Sequence, residues 1–280
     1  MRQEDTEQHS LESICRYERT SEICRAAIES DGWQLEFVPE EVKTPELCRR
    51  ALDTGADLGY EHLGLLHYIP FPEVCLDVLK DCRDGGMTDI YEIASAIRPE
   101  VMNDTIADLL LPIDGKCLSL LPVHLQTQER VRLAVETSGI SALDRGGVKE
   151  SQKTPEMYVA CAAHSWQSFA MIPWSERSPE VCLTAKTLYP EMLEKRPELV
   201  PDRVESGCNV YSLCKLMELR TGEKFTCQQM TDFYHGKPLN VKRMETPDGV
   251  QKDKLVKFDK EKQDFSFSPI AQERKKGLRM

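Results

Sequence analysis

The chain has 280 residues, 40% of them hydrophobic and 30% charged, with a formal net charge of −11. This is an ordinary soluble composition, long enough for one elongated array or two modest domains. No apolar run approaches the roughly 18–20 residues a membrane helix needs. The polar start Met1-Arg2-Gln3-Glu4-Asp5 lacks an apolar leader centre, and an acidic body repels phosphate. A bilayer span, a cleaved Sec-type leader and general nucleic-acid binding are therefore not expected.

Eleven cysteines are present, an odd number, with no Cys-x-x-Cys pair and no histidine beside them at zinc-like spacing. The expectation is reduced thiols packed as small apolar residues in a reducing compartment, with no metal and no cofactor. Localisation then reads as cytoplasmic, or secreted into a host cell without a cleavable signal. Charge is unevenly placed. Residues 237–280 hold 12 Lys+Arg against 7 Asp+Glu, so the rest of the chain carries −16.

In chain order, residues 1–19 read as a lead-in, polar and frayed to about residue 10, with helical spacing from Leu11, Ile14 and Cys15. A phrase then begins to recur. It stands as Thr20-Ser21-Glu22-Ile23-Cys24, Thr44-Pro45-Glu46-Leu47-Cys48, Phe71-Pro72-Glu73-Val74-Cys75 and Ser178-Pro179-Glu180-Val181-Cys182. Weaker copies are Arg98-Pro99-Glu100-Val101-Met102, Thr127-Gln128-Glu129-Arg130-Val131 and Thr154-Pro155-Glu156-Met157-Tyr158. The glutamates fall 24, 27, 27, 29, 27 and 24 residues apart, the rhythm of a stacked repeat.

Each part of the phrase has a physical role. Thr or Ser caps free amides, proline suits the first helical position, and glutamate meets the positive end of the helix dipole. The aliphatic residue and cysteine open the buried face, continued by Ala51 and Leu52 in the second copy. A shorter element follows in each unit, as in Trp33–Pro39, Leu63–Pro70, Leu118–Pro122 and Trp166–Pro173. Such a unit buries both faces only when stacked on copies of itself. The fold class is thus mainly α: an α-solenoid of about seven short helical repeats over residues 20–205, with a small α+β segment after it.

The phrase Thr44-Pro45-Glu46-Leu47-Cys48, with Leu35-Glu36-Phe37-Val38-Pro39-Glu40 just before it, resembles the tandem bacterial repeats catalogued as domain of unknown function 4116. The resemblance spans residues 20–200, strongest at 20–80 and 154–185. It departs from the pattern over 98–150, where Met102 and Val131 replace the cysteine. It implies a helical repeat fold and a bacterial or phage-related origin, some such proteins being secreted effectors. It carries over no catalytic residue.

Gly85-Gly86 and Gly146-Gly147 read as connecting turns, because neither precedes a Gly-Lys-Ser/Thr. After Arg196-Pro197-Glu198 the rhythm stops. A helix is predicted from Ser206 to Leu219 and another from Thr226 to His235, ended by Gly236. Two-residue spacing at Val256/Phe258 and Phe265/Phe267, with the turn Thr246-Pro247-Asp248-Gly249, predicts a hairpin. Residues 206–268 form a small α+β segment or cap, and 269–280, with Arg274-Lys275-Lys276, a basic tail.

The candidate nucleophile is Cys208, following Gly207 at a predicted helix start where the dipole would lower a thiol pKa. His235 is the candidate base, with Asn240 or Asp248 to orient it, an order faintly similar to papain-like proteases. The competing reading is a structural cysteine, as for Cys214. Trp33 and Trp166 hold similar repeat positions, which favours packing, whereas Trp174 is a candidate binding residue. Arg49-Arg50 reads as a solvated face, and His62, His67 and His164 lack partners of metal-binding type. Three functions follow, the third being a structural or scaffolding role with no dedicated site. One is a protein–protein interaction module of bacterial, phage or plasmid origin, with a host or bacterial protein as partner. The alternative is a cysteine-dependent hydrolase or transferase with its site in the C-terminal segment.

Overall fold

A computed structural model of the protein describes residues 10–87, 89–145 and 148–270, and for residues 56–61 and 145 the backbone alone. The frayed lead-in 1–9, the second glycine pair Gly146-Gly147 and the basic stretch Arg274-Lys275-Lys276 lie outside the described residues. The chain forms two compact units, Met1–Lys153 and Thr154–Met280. The division falls inside the stretch of repeats rather than at 205/206, so the last repeats share a unit with the C-terminal sheet.

In the first unit, helices α1 (Ser21–Ser30), α2 (Pro45–Gly55), α3 (Pro72–Asp84), α4 (Ile90–Ser95), α5 (Asp104–Leu110), α6 (Gln128–Ser138) and α7 (Ile140–Arg145) alternate with 3-10 pieces such as Gly32–Phe37, Ala56–Tyr68 and Gly115–Leu120. The lead-in is docked from Ser10 onward: Leu11 is fully buried and its N–H donates to Gln34 Oε1 at 2.8 Å. Helix α1 packs on α2, α2 on α3, and α3 on α5.

Four of the predicted caps, Thr20, Thr44, Thr127 and Ser178, take a first-turn amide, whereas Thr154 makes no side-chain cap bond. Thr44 Oγ1 accepts from Leu47 N at 3.2 Å, and Ser178 Oγ from Val181 N at 3.3 Å. Cys24, Cys48, Cys75 and Cys182, at one repeat position, are fully buried, and all eleven cysteines are free thiols. One copy is misplaced in the sequence reading. Pro99–Val101 is only a 3-10 turn, and the helix of that repeat starts at Asp104, where Asn103 Oδ1 accepts from Ile106 N at 3.0 Å. Asparagine caps as well as threonine, so the helix chose it over the proline phrase four residues earlier.

The second unit continues the same pattern with α8 (Pro155–His164), α9 (Trp166–Met171), α10 (Pro179–Leu188), α11 (Pro190–Lys195) and α12 (Asp202–Glu205). Helices α13 (Val210–Thr221) and α14 (Cys227–Tyr234) follow, then an antiparallel sheet of β1 (Leu239–Thr246), β2 (Gly249–Asp259) and β3 (Asp264–Pro269) in that order. The predicted hairpin turn is present, with Thr246 paired to Gly249. The predicted spacings meet across the next pair, Val256 opposite Phe267 and Phe258 opposite Phe265. One sheet face packs on α13 and α14 through Leu239, Val241, Met244, Val256 and Phe258, with Phe233 among them. Burying each such side chain contributes about 1.5–3 kcal/mol.

Candidate functional site

Two recurring features set the geometry of the helical surface. In three copies the residue just before the cap is a cation, Arg19, Lys43 or Arg177, that binds distant carbonyls. Arg19 donates Nε to Ile14 O at 2.9 Å and Nη1 to Phe37 O at 2.6 Å. Arg177 does the same to Ile172 O at 3.0 Å and Leu199 O at 2.8 Å, and adds Nη2 to Ala170 O at 2.7 Å. Lys43 reaches Tyr68 O at 2.7 Å. The second feature is Asp-Gly at the start of the short helical piece. Asp31 and Asp114 cap it, and a Cβ on Gly32 or Gly115 would collide with the carbonyl oxygen of Ala51 in α2 or Ala134 in α6. These glycines let each short piece approach the helix that follows it backbone to backbone.

A broad concavity in the first unit lies beside α2 and α3. It encloses about 780 Å³ and is lined by Leu52, Leu63, Val74, Val78 and Cys82, with Arg49, Asp53, Asp77, Lys80 and Asp81 around them. A second hollow of about 450 Å³ shares Leu63 and Met87 with it and extends to Asp89, Glu92, Ile93 and Ala96. Together they make one groove with an apolar floor and an acidic rim, in the size range of ligand and peptide sites. On the rim Arg49 is held by Asp77 at 3.0 Å. Among the described residues Asp53, Asp81, Asp89 and Glu92 make no ion pair.

The residues singled out from the sequence lie in the second unit. Cys208 is exposed, but α13 starts at Val210 rather than Ser206, and Asn209 is its cap. Asn209 Oδ1 accepts from Tyr211 N and Ser212 N, at 3.0 and 3.1 Å, so the amides that were to act on Cys208 are occupied. His235 is the exposed residue that ends α14, its ring edge-on to Tyr234 at 5.6 Å. Among the described residues no hydrogen bond joins Cys208 to His235. The link between their surroundings runs instead through Tyr234, whose hydroxyl donates to Cys208 O at 3.4 Å. Asn240 is exposed on β1, and Asp248 sits at the tip of the β1–β2 turn. His235 lines a polar hollow of about 510 Å³ with Lys257, Lys260 and Ser266, a hollow that Cys208 does not line.

Trp174 is half exposed, at 51%. Its ring stacks on the buried guanidinium of Arg177 at 4.9 Å, with Phe169 on the far side at 5.3 Å. Arg203 holds its carbonyl at 2.9 Å. Much of Trp174 is thus committed to covering Arg177. Trp33 and Trp166 are both half-buried, and the Trp33 ring packs against Gly64. Arg50 is exposed, and His67 stands edge-on to Tyr68.

Burial pushes the thiols of Cys48, Cys75, Cys117 and Cys182 up to about 12, which makes them inert at neutral pH. Among the described residues no group of three or more His, Cys, Asp or Glu stands together as a metal site, and no helix is long and apolar enough to cross a membrane. No family model matches the chain, and neither a curated protein nor a solved structure matches it.

The sequence reading missed the groove. Its signal on α3 is Val78. It lies beside the core face formed by Val74, Cys75, Leu79 and Cys82 and stays half-buried, with Asp77 and Asp81 near it. An apolar side chain left half-buried among carboxylates at the edge of the core marks such a groove.

Proposed function

We propose that the protein is a recognition module in which helical repeats stack as an α-solenoid and hold another protein in the groove beside α2 and α3. The observation that carries this is the groove itself: Leu63, Val74, Val78, Met87 and Ile93 form an apolar floor bordered by carboxylates. Half-buried Val78 and Met87 gain burial only if something covers them. Solenoids present such faces because their layers contact only their neighbours. The likeness of the Thr-Pro-Glu-Leu-Cys phrase to the domain of unknown function 4116 repeats supports a bacterial or phage-related setting, with a secreted effector acting on a host protein as one form of it.

The experiment is co-purification with tagged wild type, Val78→Lys and, as control, Arg132→Glu on exposed α6. A partner retained by wild type and control but lost by Val78→Lys supports the reading. A partner held equally by all three contradicts it.

A further inference from the structure

We infer that the occupant of the first unit's groove is a basic amphipathic segment of the partner protein, two or three apolar side chains flanked by lysine or arginine. This rests on the recognition reading above and specifies its partner.

The charge around the floor is lopsided. Asp53 and Asp81 stand at one end, and Asp89 and Glu92 at the other. None of the four makes an ion pair among the described residues, and what sets them apart from other unpaired carboxylates is that they border an apolar floor. Against them stands Lys80, since Arg49 is already held by Asp77. Four unpaired carboxylates around an apolar floor raise the local concentration of cationic chains and speed their docking. An acidic segment entering the same groove would meet like charge on both ends, and a purely apolar one would leave the carboxylates partly desolvated without partners. A segment with apolar side chains in the middle and cations at the flanks satisfies floor and rim together, as helix-in-groove recognition does elsewhere.

The test uses the full chain and two synthetic probes: a short amphipathic Lys/Leu peptide and its Glu/Leu counterpart, read by fluorescence anisotropy. The variants are Asp81→Asn/Glu92→Gln, Val78→Lys, and the control Glu129→Gln/Glu191→Gln, which removes the same charge from exposed positions elsewhere. The Lys/Leu peptide is expected to bind wild type and the control alike, and to weaken about tenfold or more in both groove variants. Equal binding of the Lys/Leu peptide to wild type and groove variants overturns the proposal. So does a Glu/Leu peptide that binds as tightly as the Lys/Leu one. If that Glu/Leu binding is itself lost in Val78→Lys, the recognition groove stands and the basic class alone falls. A peptide of residues 270–280, basic in its own right, would overturn the assignment to a different protein by binding more tightly than the Lys/Leu probe, since the occupant would then be a second copy of this chain.

Discussion

Arg177 Nη1 donates to the carbonyl oxygen of Leu199 at 2.8 Å, joining the residue before the cap of α10 to the end of the 3-10 turn Pro197–Leu199. The guanidinium spends its other donors on Ile172 and Ala170 carbonyls, and two aromatic rings cover its faces. Burial lowers its pKa from the ordinary value, because desolvation disfavours the charge. The hydrogen bonds offset that cost.

Arg177→Met should therefore lower stability by about 3 kcal/mol or more, since it strands buried carbonyls. Arg19→Met removes the matching stitch at a half-exposed site and should cost about 1–2 kcal/mol. Urea unfolding of both variants checks the order. Equal midpoints would show that the stitch is incidental to the repeat.

Gly32 and Gly115 make a different kind of contact. Each faces the backbone carbonyl of an alanine in the next long helix, so there is no side chain to yield. Gly32→Ala and Gly115→Ala should each cost about 1–3 kcal/mol through displaced layers. Ala51→Gly should not rescue Gly32→Ala, because the obstructing atom belongs to the main chain. Thermal unfolding of the two single variants and the double variant measures this, and rescue by Ala51→Gly would refute it.

The thiols divide sharply. Cys15 and Cys208 are exposed, whereas Cys24, Cys48, Cys75, Cys82, Cys117, Cys161, Cys182 and Cys214 are buried. Brief alkylation of the native chain at neutral pH should label Cys15 and Cys208 first and reach the buried set only on unfolding. The pH dependence has a definite sign. Four buried thiols rise from 9.0 to about 12, so the folded state keeps protons that the unfolded state releases. Stability from this source is complete below pH 9 and declines from pH 9 towards 12, by about 1 kcal/mol per pH unit for each thiol. Denaturation at neutral and alkaline pH, with reductant, should show that slope flattened in Cys48→Ala/Cys117→Ala. An unchanged slope would contradict it.

The repeated helix start was legible because Thr-Pro-Glu and its buried cysteine obey local rules: cap, first-turn proline, dipole, core face. It failed at Glu100 because Arg-Pro-Glu also suits a 3-10 turn, as at Arg196-Pro197-Glu198. With Thr105 in the place of that glutamate, the intervals become 24, 27, 32, 24, 27 and 24. The stitching cations were visible as Arg19-Thr20, Lys43-Thr44 and Arg177-Ser178, but a basic residue beside a cap reads as surface until its partner carbonyls, 18 to 25 residues on, are known. The helix start near Cys208 was misplaced for a related reason: Gly-Cys-Asn looks like a helix start, and the asparagine, not the cysteine, takes the free amides. The groove needed the third dimension, because Val78, Met87 and Ile93 come to line adjoining hollows only in the folded chain.

Photo-crosslinking from a benzoylphenylalanine at residue 78, compared with the same probe at residue 132 on α6, tests the recognition groove most directly. Incubated with the partner, the chain should form an adduct from position 78 that a Lys/Leu peptide competes away, and none from position 132. Adducts from position 132 without any from position 78 would show that the groove is not where this protein meets its partner.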